Sequence, residues 1–378
     1  MNMTSPFNQA QSINEVALSL AGVDKIYAST ARKPVHAVQA LDLDVRRGEI
    51  VALLGSSGCG KTSTLRMIAG FESVTNGSIT LAGRRIETLP PARRGVAMAF
   101  EGYSLYPPLT VRDNIAFALK SARISAADAS KAVEEMAALV EITPILDRYP
   151  SSISGGQQQR ASLARALVRP ADLYLLDEPM GQLEPRLRAL LRGRLKRLLN
   201  ERGMTSIFVT HDQTEANALA DRVAVMEGGV LQQLANQTEL KERPANLYVA
   251  TFIGEPPMNV FDAKVEIGER VRFLVKDGPA LDFSANAFSE AARAVIGVRP
   301  HDIRLGSGSN EAKLASNQWL GDQSHLAFDV AGKLMVAVAF DEVSAARGEV
   351  MRYDIDSAKL HVFDIDSGKA VSHGAEAA

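Results

Sequence analysis

The sequence predicts an α/β domain built on a parallel sheet, followed by a smaller all-β domain. Three observations carry that reading. Apolar strand-type runs alternate with helix-type runs from Val16 to about residue 240. One strand-to-helix junction holds a Gly-rich loop, GSSGCGKT, at residues 55–62. After about residue 240 the helical runs give way to short strands punctuated by glycine and proline.

The elements follow in chain order. Residues 1–15 read as a flexible tail. VALSLAGVDKIY and ALDLDV alternate like strands, and EIVALLG is a buried-type strand. KTSTLRMIAGF is helical, and GSITLAGRRI and RGVAMAF return to strand. Residues 110–148 are mostly helical, since VRDNIAFALKSA and AADASKAVEEMAALVEI space their apolar residues by three and four. LYLLDEP is an apolar strand ending in acids, and SIFVT and RVAVMEGGVLQQL are further strands. Between them Leu183, Leu187, Leu190, Leu191, Leu195 and Leu198 stripe one helix face. The arginines on that helix read as its solvated side and not as a nucleic-acid surface. Beyond the Pro-rich passage ERPANLYVATFIGEPPMNVF, runs such as FDAKVEI, AVIGVRP and KLMVAVAF predict a small barrel-like β domain. The closing SGKAVSHGAEAA reads as frayed.

Composition narrows the class. The chain has 378 residues, 46% of them hydrophobic, enough for two packed cores. A formal charge of −2 gives no general attraction to nucleic acid or anionic lipid. The single cysteine, Cys59, excludes an internal disulfide and suits a reducing cytoplasm. No run approaches the roughly 18 apolar residues of a spanning helix. The polar start, MNMTSPFNQAQSINEV, lacks the apolar core of an export signal.

The residues of GSSGCGKT divide the work of holding a triphosphate. Gly55, Gly58 and Gly60 let backbone N–H groups turn inward, and the following helix N-terminus favours an anion. Ser56, Ser57, Cys59 and Ser63 belong to the same nucleotide-binding stretch. Lys61 reaches the β- and γ-phosphates, and Thr62 offers a hydroxyl to Mg²⁺. Downstream, Asp177 can hold Mg²⁺ and Glu178 can polarise an attacking water. His211, at the end of SIFVT, stands where it can reach a γ-phosphate. A second loop, SISGGQQQR at residues 152–160, also opens a helix but carries no lysine.

In this order the phosphate loop, SGGQ, LLDEP and THD resemble the ATP-binding subunits of ABC transporters, over most of the chain from Val16 onward. The resemblance implies a P-loop ABC ATPase core at 16–240, with a helical subdomain at about 102–160. It also implies an OB-like regulatory domain at 241–378. In that family two cassettes pack head to tail. Ser154, Gly155, Gly156 and Gln157 would therefore touch the γ-phosphate of ATP held by a partner chain, whose own Lys61 supplies the lysine. Tyr27 matches the aromatic that stacks on adenine. YPPLTVRDNIAF matches the passage that meets the permease. IGEPPMNVF and GVRPHDIRL are similar to the sugar-importer branch. That branch implies a peripheral subunit at the cytoplasmic face of the inner membrane, working with two permeases and an external binding protein. The implied solutes are carbohydrates, sugar alcohols or glycerol phosphates.

Two positions depart from the family pattern. Glu101 stands where the family has Gln after AMAF. Its carboxylate can still take Mg²⁺ but cannot donate an amide hydrogen to water. Glu184 stands where the loop MGQLEP usually ends in Asp, and Gly181 and Gln182 replace the usual serine and asparagine. The ATP contacts remain, so an active ATPase with altered cross-dimer communication is expected. Pairing with a different ATPase chain, as a regulatory or slow-turnover subunit, stays open. A DNA-repair or translation ABC protein fits less well, because this chain has one uninterrupted cassette. A P-loop kinase or GTPase has no use for SGGQ.

Overall fold

The computed structural model of the chain describes residues 15–28, 33–102, 104–120, 124–267, 271–275, 278–283, 293–330 and 332–374. Of the tail expected at 1–15, residues 1–14 lie outside the described residues, and Glu15 is tied down, its carbonyl accepting the Arg47 amide. The chain divides into two compact units, Met1–Gln237 and Thr238–Ala378.

The first unit runs β1 (Val16–Tyr27), β2 (Val35–Arg46), β3 (Ile50–Gly55), α1 (Lys61–Ala69), β4 (Asn76–Leu81), β5 (Arg84–Arg85), β6 (Val96–Ala99) and α2 (Val111–Phe117). It continues through α3 (Ala126–Leu139), α4 (Gly155–Val168), β7 (Leu173–Asp177), α5 (Pro185–Glu201), β8 (Ser206–Thr210), α6 (Gln213–Leu219), β9 (Arg222–Glu227) and β10 (Val230–Ala235). The largely apolar runs of β3, β7 and β8 are buried along their whole length, as strands inside a parallel sheet are. That sheet has the order β10-β9-β3-β8-β7-β6, parallel except at β10. The alternating strands instead form a separate antiparallel sheet, β2-β1-β4-β5. Both sheets and α1 contribute to one core, through Leu18, Leu41 and Ile79, through Leu53, Leu175 and Val209, and through Leu65 and Ile68.

Two devices fix α1. Its C-terminus ends at Gly70 in the left-handed region, with φ 87°. The buried Arg94 guanidinium donates to the carbonyls of Met67, Ile68, Glu87 and Leu89. At the base of β3, Arg222 grips Glu49 with two parallel bonds, of 2.6 and 2.9 Å.

Helices α2, α3 and α4 pack together. Asp113 donates its amide to Thr110 at the start of α2, and Asp128 does the same to Ser125 at α3. The leucine stripe on α5 is narrower than the sequence suggested. Leu191, Leu195, Leu198 and Leu199 are buried, while Leu190 is exposed and Leu187 half-buried. Positions spaced four, seven and eight share a face, and Leu190 lies about 100° round the axis from Leu191.

Helix α7 (Gln237–Glu242) starts at the last residue of the first unit, and α8 (Leu247–Phe252) follows in the second. Then come β11 (Asn259–Ile267), β12 (Val271–Val275), β13 (Ala280–Phe283), β14 (Arg293–Val298), β15 (Ile303–Trp319), β16 (Ser324–Val330), β17 (Lys333–Ala339), β18 (Val350–Ile355), β19 (His361–Asp364) and β20 (Ala370–His373). The strands form two antiparallel sheets, β13-β12-β11-β14-β19-β20 and β17-β16-β15-β18. They share one core that includes Phe261, Phe273, Phe328, Tyr353 and Val362. The tail is not frayed as far as His373, because β20 pairs with β19 through Val362–Ser372 and His361–His373. Residues 375–378 lie outside the described residues.

Candidate functional site

The loop after β3 turns tightly into α1. Gly60 has φ 103°, and a Cβ there would lie 2.4 Å from the Ala37 carbonyl oxygen. Only glycine fits that close approach. Ser56, Ser57 and Gly58 face solvent, whereas Cys59, Gly60 and Lys61 are buried. The Lys61 ammonium donates to the carbonyls of Gly55 and Ser56, at 2.7 and 2.8 Å. It thus lies across the loop it is expected to serve. Alkylation of Cys59 is expected to abolish ATP binding, because its sulfur lies 3.7 Å from the Lys61 nitrogen. Only 2% of Cys59 is exposed, so the reaction must wait for the loop to open. Full nucleotide affinity after complete labelling, followed by mass spectrometry, would contradict this.

The acids stand at the end of the neighbouring strand β7. Asp177 is buried and accepts the Thr62 hydroxyl at 3.3 Å. Burial pushes its carboxyl up to about 6, and the charges of Glu101 and Glu178 add to the rise. The Thr62 bond and Arg66 oppose it. Thr62 and Asp177 are hard oxygen donors, and a divalent cation held between them would relieve both the burial and the repulsion. The residues therefore fit Mg²⁺.

The raised pKa has a consequence for stability. Folded Asp177 holds its proton more tightly than an ordinary Asp at 3.8, so its contribution to stability is full below that pH. It is lost as pH rises through about 6. Asp177→Asn should therefore melt higher than the parent chain at pH 7.5, by about 2–4 °C per kcal/mol relieved. The gap should close near pH 4. A gap independent of pH, read by thermal denaturation without nucleotide, would contradict this origin.

Glu178 has a backbone φ of 45°, in the left-handed region that non-glycine residues avoid. Its side chain points to His211, whose Nδ1 lies 3.2 Å from Glu178 Oε1. His211 itself is exposed at the end of β8. Tyr27 is half-buried, its hydroxyl 3.2 Å from the Ser63 hydroxyl, with the Lys25 ammonium over its ring. Thus α1 and the ends of β1, β7 and β8 bring Tyr27, Ser63, Thr62, Asp177, Glu178 and His211 into one linked site. Glu101 is exposed but acts on Asp177 through its charge.

The second loop is a helix start. Ser154 caps α4 by accepting the Gln157 amide, and Gln157 accepts the Ser154 amide in return. Gly155 and Gly156, in the first turn, keep N–H groups with no partner inside the helix. They are available to an anion. Sequence reasoning missed Gln159, one turn further along α4, which bonds to the backbone at Glu178 and Gln182. It also missed Arg188, which donates to the Leu183 carbonyl and pairs with Asp212. Nothing in a run of three glutamines or an Arg-rich helix singles them out.

Away from the nucleotide residues lies an open groove of about 530 Å³, lined by Phe71, Phe100, Tyr106, Phe117, Lys120 and Arg165 among others. Phe71, Tyr106 and Phe117 are exposed. The buried Asn114 shapes one wall by bonding to the backbone of Tyr106, Leu109 and Thr110. Among the described residues, no helix is long and apolar enough to cross a membrane.

Residues 38–181 match the family described as ABC transporter. The trehalose import ATP-binding protein SugC of Mycobacterium tuberculosis (strain ATCC 25618 / H37Rv) is 39% identical over 366 residues, covering 88% of this chain and 93% of that protein. The sn-glycerol-3-phosphate import ATP-binding protein UgpC of Ruegeria sp. (strain TM1040) is 38% identical over 359 residues, covering 94% and 99%. The dimeric ATP-binding cassette MJ0796, bound to ADP and Pi after hydrolysis, superimposes with a TM-score of 0.55 and 26% identity. That match covers 58% of this chain and 98% of the cassette.

Proposed function

This chain belongs to the ATP-binding subunits of ABC transporters, and from that membership we propose that it is the ATP-hydrolysing motor of a solute importer. The observation that carries the reading is the linked set Thr62–Asp177 and Glu178–His211 beside the phosphate loop. The relatives import trehalose and sn-glycerol-3-phosphate. That supports a carbohydrate, sugar alcohol or glycerol-phosphate-like solute here.

ATP binds with its phosphates on the loop amides and α1, and Tyr27 lies under the adenine. Lys61 leaves the Gly55 and Ser56 carbonyls to meet the β- and γ-phosphates. Thr62, Asp177 and Glu101 would hold Mg²⁺, which would supply charge neutralisation at the phosphates. Glu178 takes the proton of the attacking water, and His211 orients the γ-phosphate. Two chains close head to tail, so that Ser154 to Gln157 of one complete the site of the other. Hydrolysis is then mainly positioning and charge stabilisation. Closing moves the segment after Glu101, and the aromatic groove at Tyr106 and Phe117 passes that motion to a permease.

The chain therefore works at the cytoplasmic face of the inner membrane, with two permeases and an external binding protein. Residues 16–240 form the motor and 241–378 a regulatory domain. A second reading, pairing with a different ATPase chain, is favoured by Glu101 and Glu184. Phosphate release from Mg-ATP by the purified chain tests the motor function. Binding without release would leave a nucleotide-binding regulator.

A further inference from the structure

Gln159 is 3% exposed, and its amide group makes two bonds that leave its own helix. Its Nε2 donates to the Glu178 carbonyl at 2.8 Å. Its Oε1 accepts the Gln182 amide at 3.2 Å. These bonds grip both ends of the turn that carries Glu178. The turn needs holding, because Glu178 sits at a φ of 45°, a conformation that non-glycine residues avoid. The Glu178 amide is fixed by the Val209 carbonyl, and its carbonyl also accepts the Gly181 amide. From α4, the Gln159 side chain clamps this turn at both ends. The turn also passes close to α4 one turn earlier, where a Cβ added to Gly156 would lie 3.2 Å from the Gln182 carbonyl oxygen.

We propose that Gln159 is a positioning residue: its donated hydrogen bond holds the Glu178 carboxylate in register for hydrolysis and ties it to the helix that begins at Ser154. The inference rests on the ATPase reading above. The linkage has a direction. The start of α4 meets the partner's ATP, whereas Gln159 meets this chain's own Glu178. Engagement of one site thereby reaches the hydrolytic carboxylate of the other. The neighbours cannot substitute, because Gln157 is committed to the helix cap and Gln158 to the carbonyls of Pro150 and Ile153.

Two variants of the full-length chain separate this from a packing role. Gln159→Leu removes both bonds, and Gln159→Glu keeps the acceptor for Gln182 but loses the donor to Glu178. Phosphate release at saturating Mg-ATP gives kcat, and a fluorescent ATP analogue gives affinity. Both variants are expected to lose about tenfold to 10²-fold in kcat, the scale of a small misplacement, with affinity within about twofold of the parent chain. A loss below about tenfold in either variant, or a matching fall in affinity, overturns the proposal. Absence of phosphate release from the parent chain would instead overturn the ATPase reading itself.

Discussion

Glu178→Gln should lower phosphate release by roughly 10²–10⁴-fold, the usual contribution of a general base, while ATP stays bound. The size follows from the geometry. Glu178 is held at the end of β7 in a strained conformation, with His211 at 3.2 Å. Glutamine keeps the length and planar shape of the side chain, so the turn and its bonds to Gln159 should persist. What it loses is the charge that accepts a proton. That charge also raises the Asp177 pKa, so the substitution should ease ionisation of Asp177 and strengthen Mg-ATP binding. Release assays and nucleotide titrations on the same preparation check both halves. Equal losses in release and affinity would assign Glu178 a structural role.

Ser154→Arg should abolish turnover without abolishing ATP binding, and Lys61→Ala should abolish both. The two lesions lie at opposite ends of the proposed composite site. Ser154 caps α4 and flanks the free amides of Gly155 and Gly156. A long cation there blocks approach of the partner's nucleotide, and loss of the cap costs about 1 kcal/mol, too little to unfold the helix. Lys61 is the ammonium of the phosphate loop, buried beside two carbonyls. The decisive case is the mixture. A dimer with one chain of each kind retains one site in which Lys61 and Ser154 are both intact. An equal mixture should recover about a quarter of parental turnover if chains pair at random across a two-fold axis. A mixture as inactive as its components would place both loops in the same chain's site.

Much of the site was legible in the sequence because its chemistry depends on local order. The run IVALLG followed by GSSGCGKT fixes a strand, a turn and a helix by itself. The apolar LYLLD and SIFVT needed no partner information to read as buried strands that present Asp177 and His211 at their ends. What escaped was decided by contacts distant in sequence. Gln159 bonds to residues about twenty positions away, and its neighbours Gln157 and Gln158 have different tasks. The antiparallel β1, β2 and β4 could not be separated from the parallel strands, since alternation shows one polar face but not the pairing. Burial of Leu199 instead of Leu190 turns on the rotation of α5 against its neighbours. The strand Ala370–His373 is only four residues long, buries Ser372 and leaves Val371 exposed, and exists through its ladder to β19.

Closure of two like chains around ATP is tested most directly by the solution mass of Glu178→Gln protein with and without Mg-ATP. The chain alone has a mass of 40.6 kDa, and addition of Mg-ATP should double it. Introducing Ser154→Arg into the same protein should prevent the doubling. ATP binding with the mass unchanged would contradict closure on a like chain and transfer the role of partner to a different ATPase subunit.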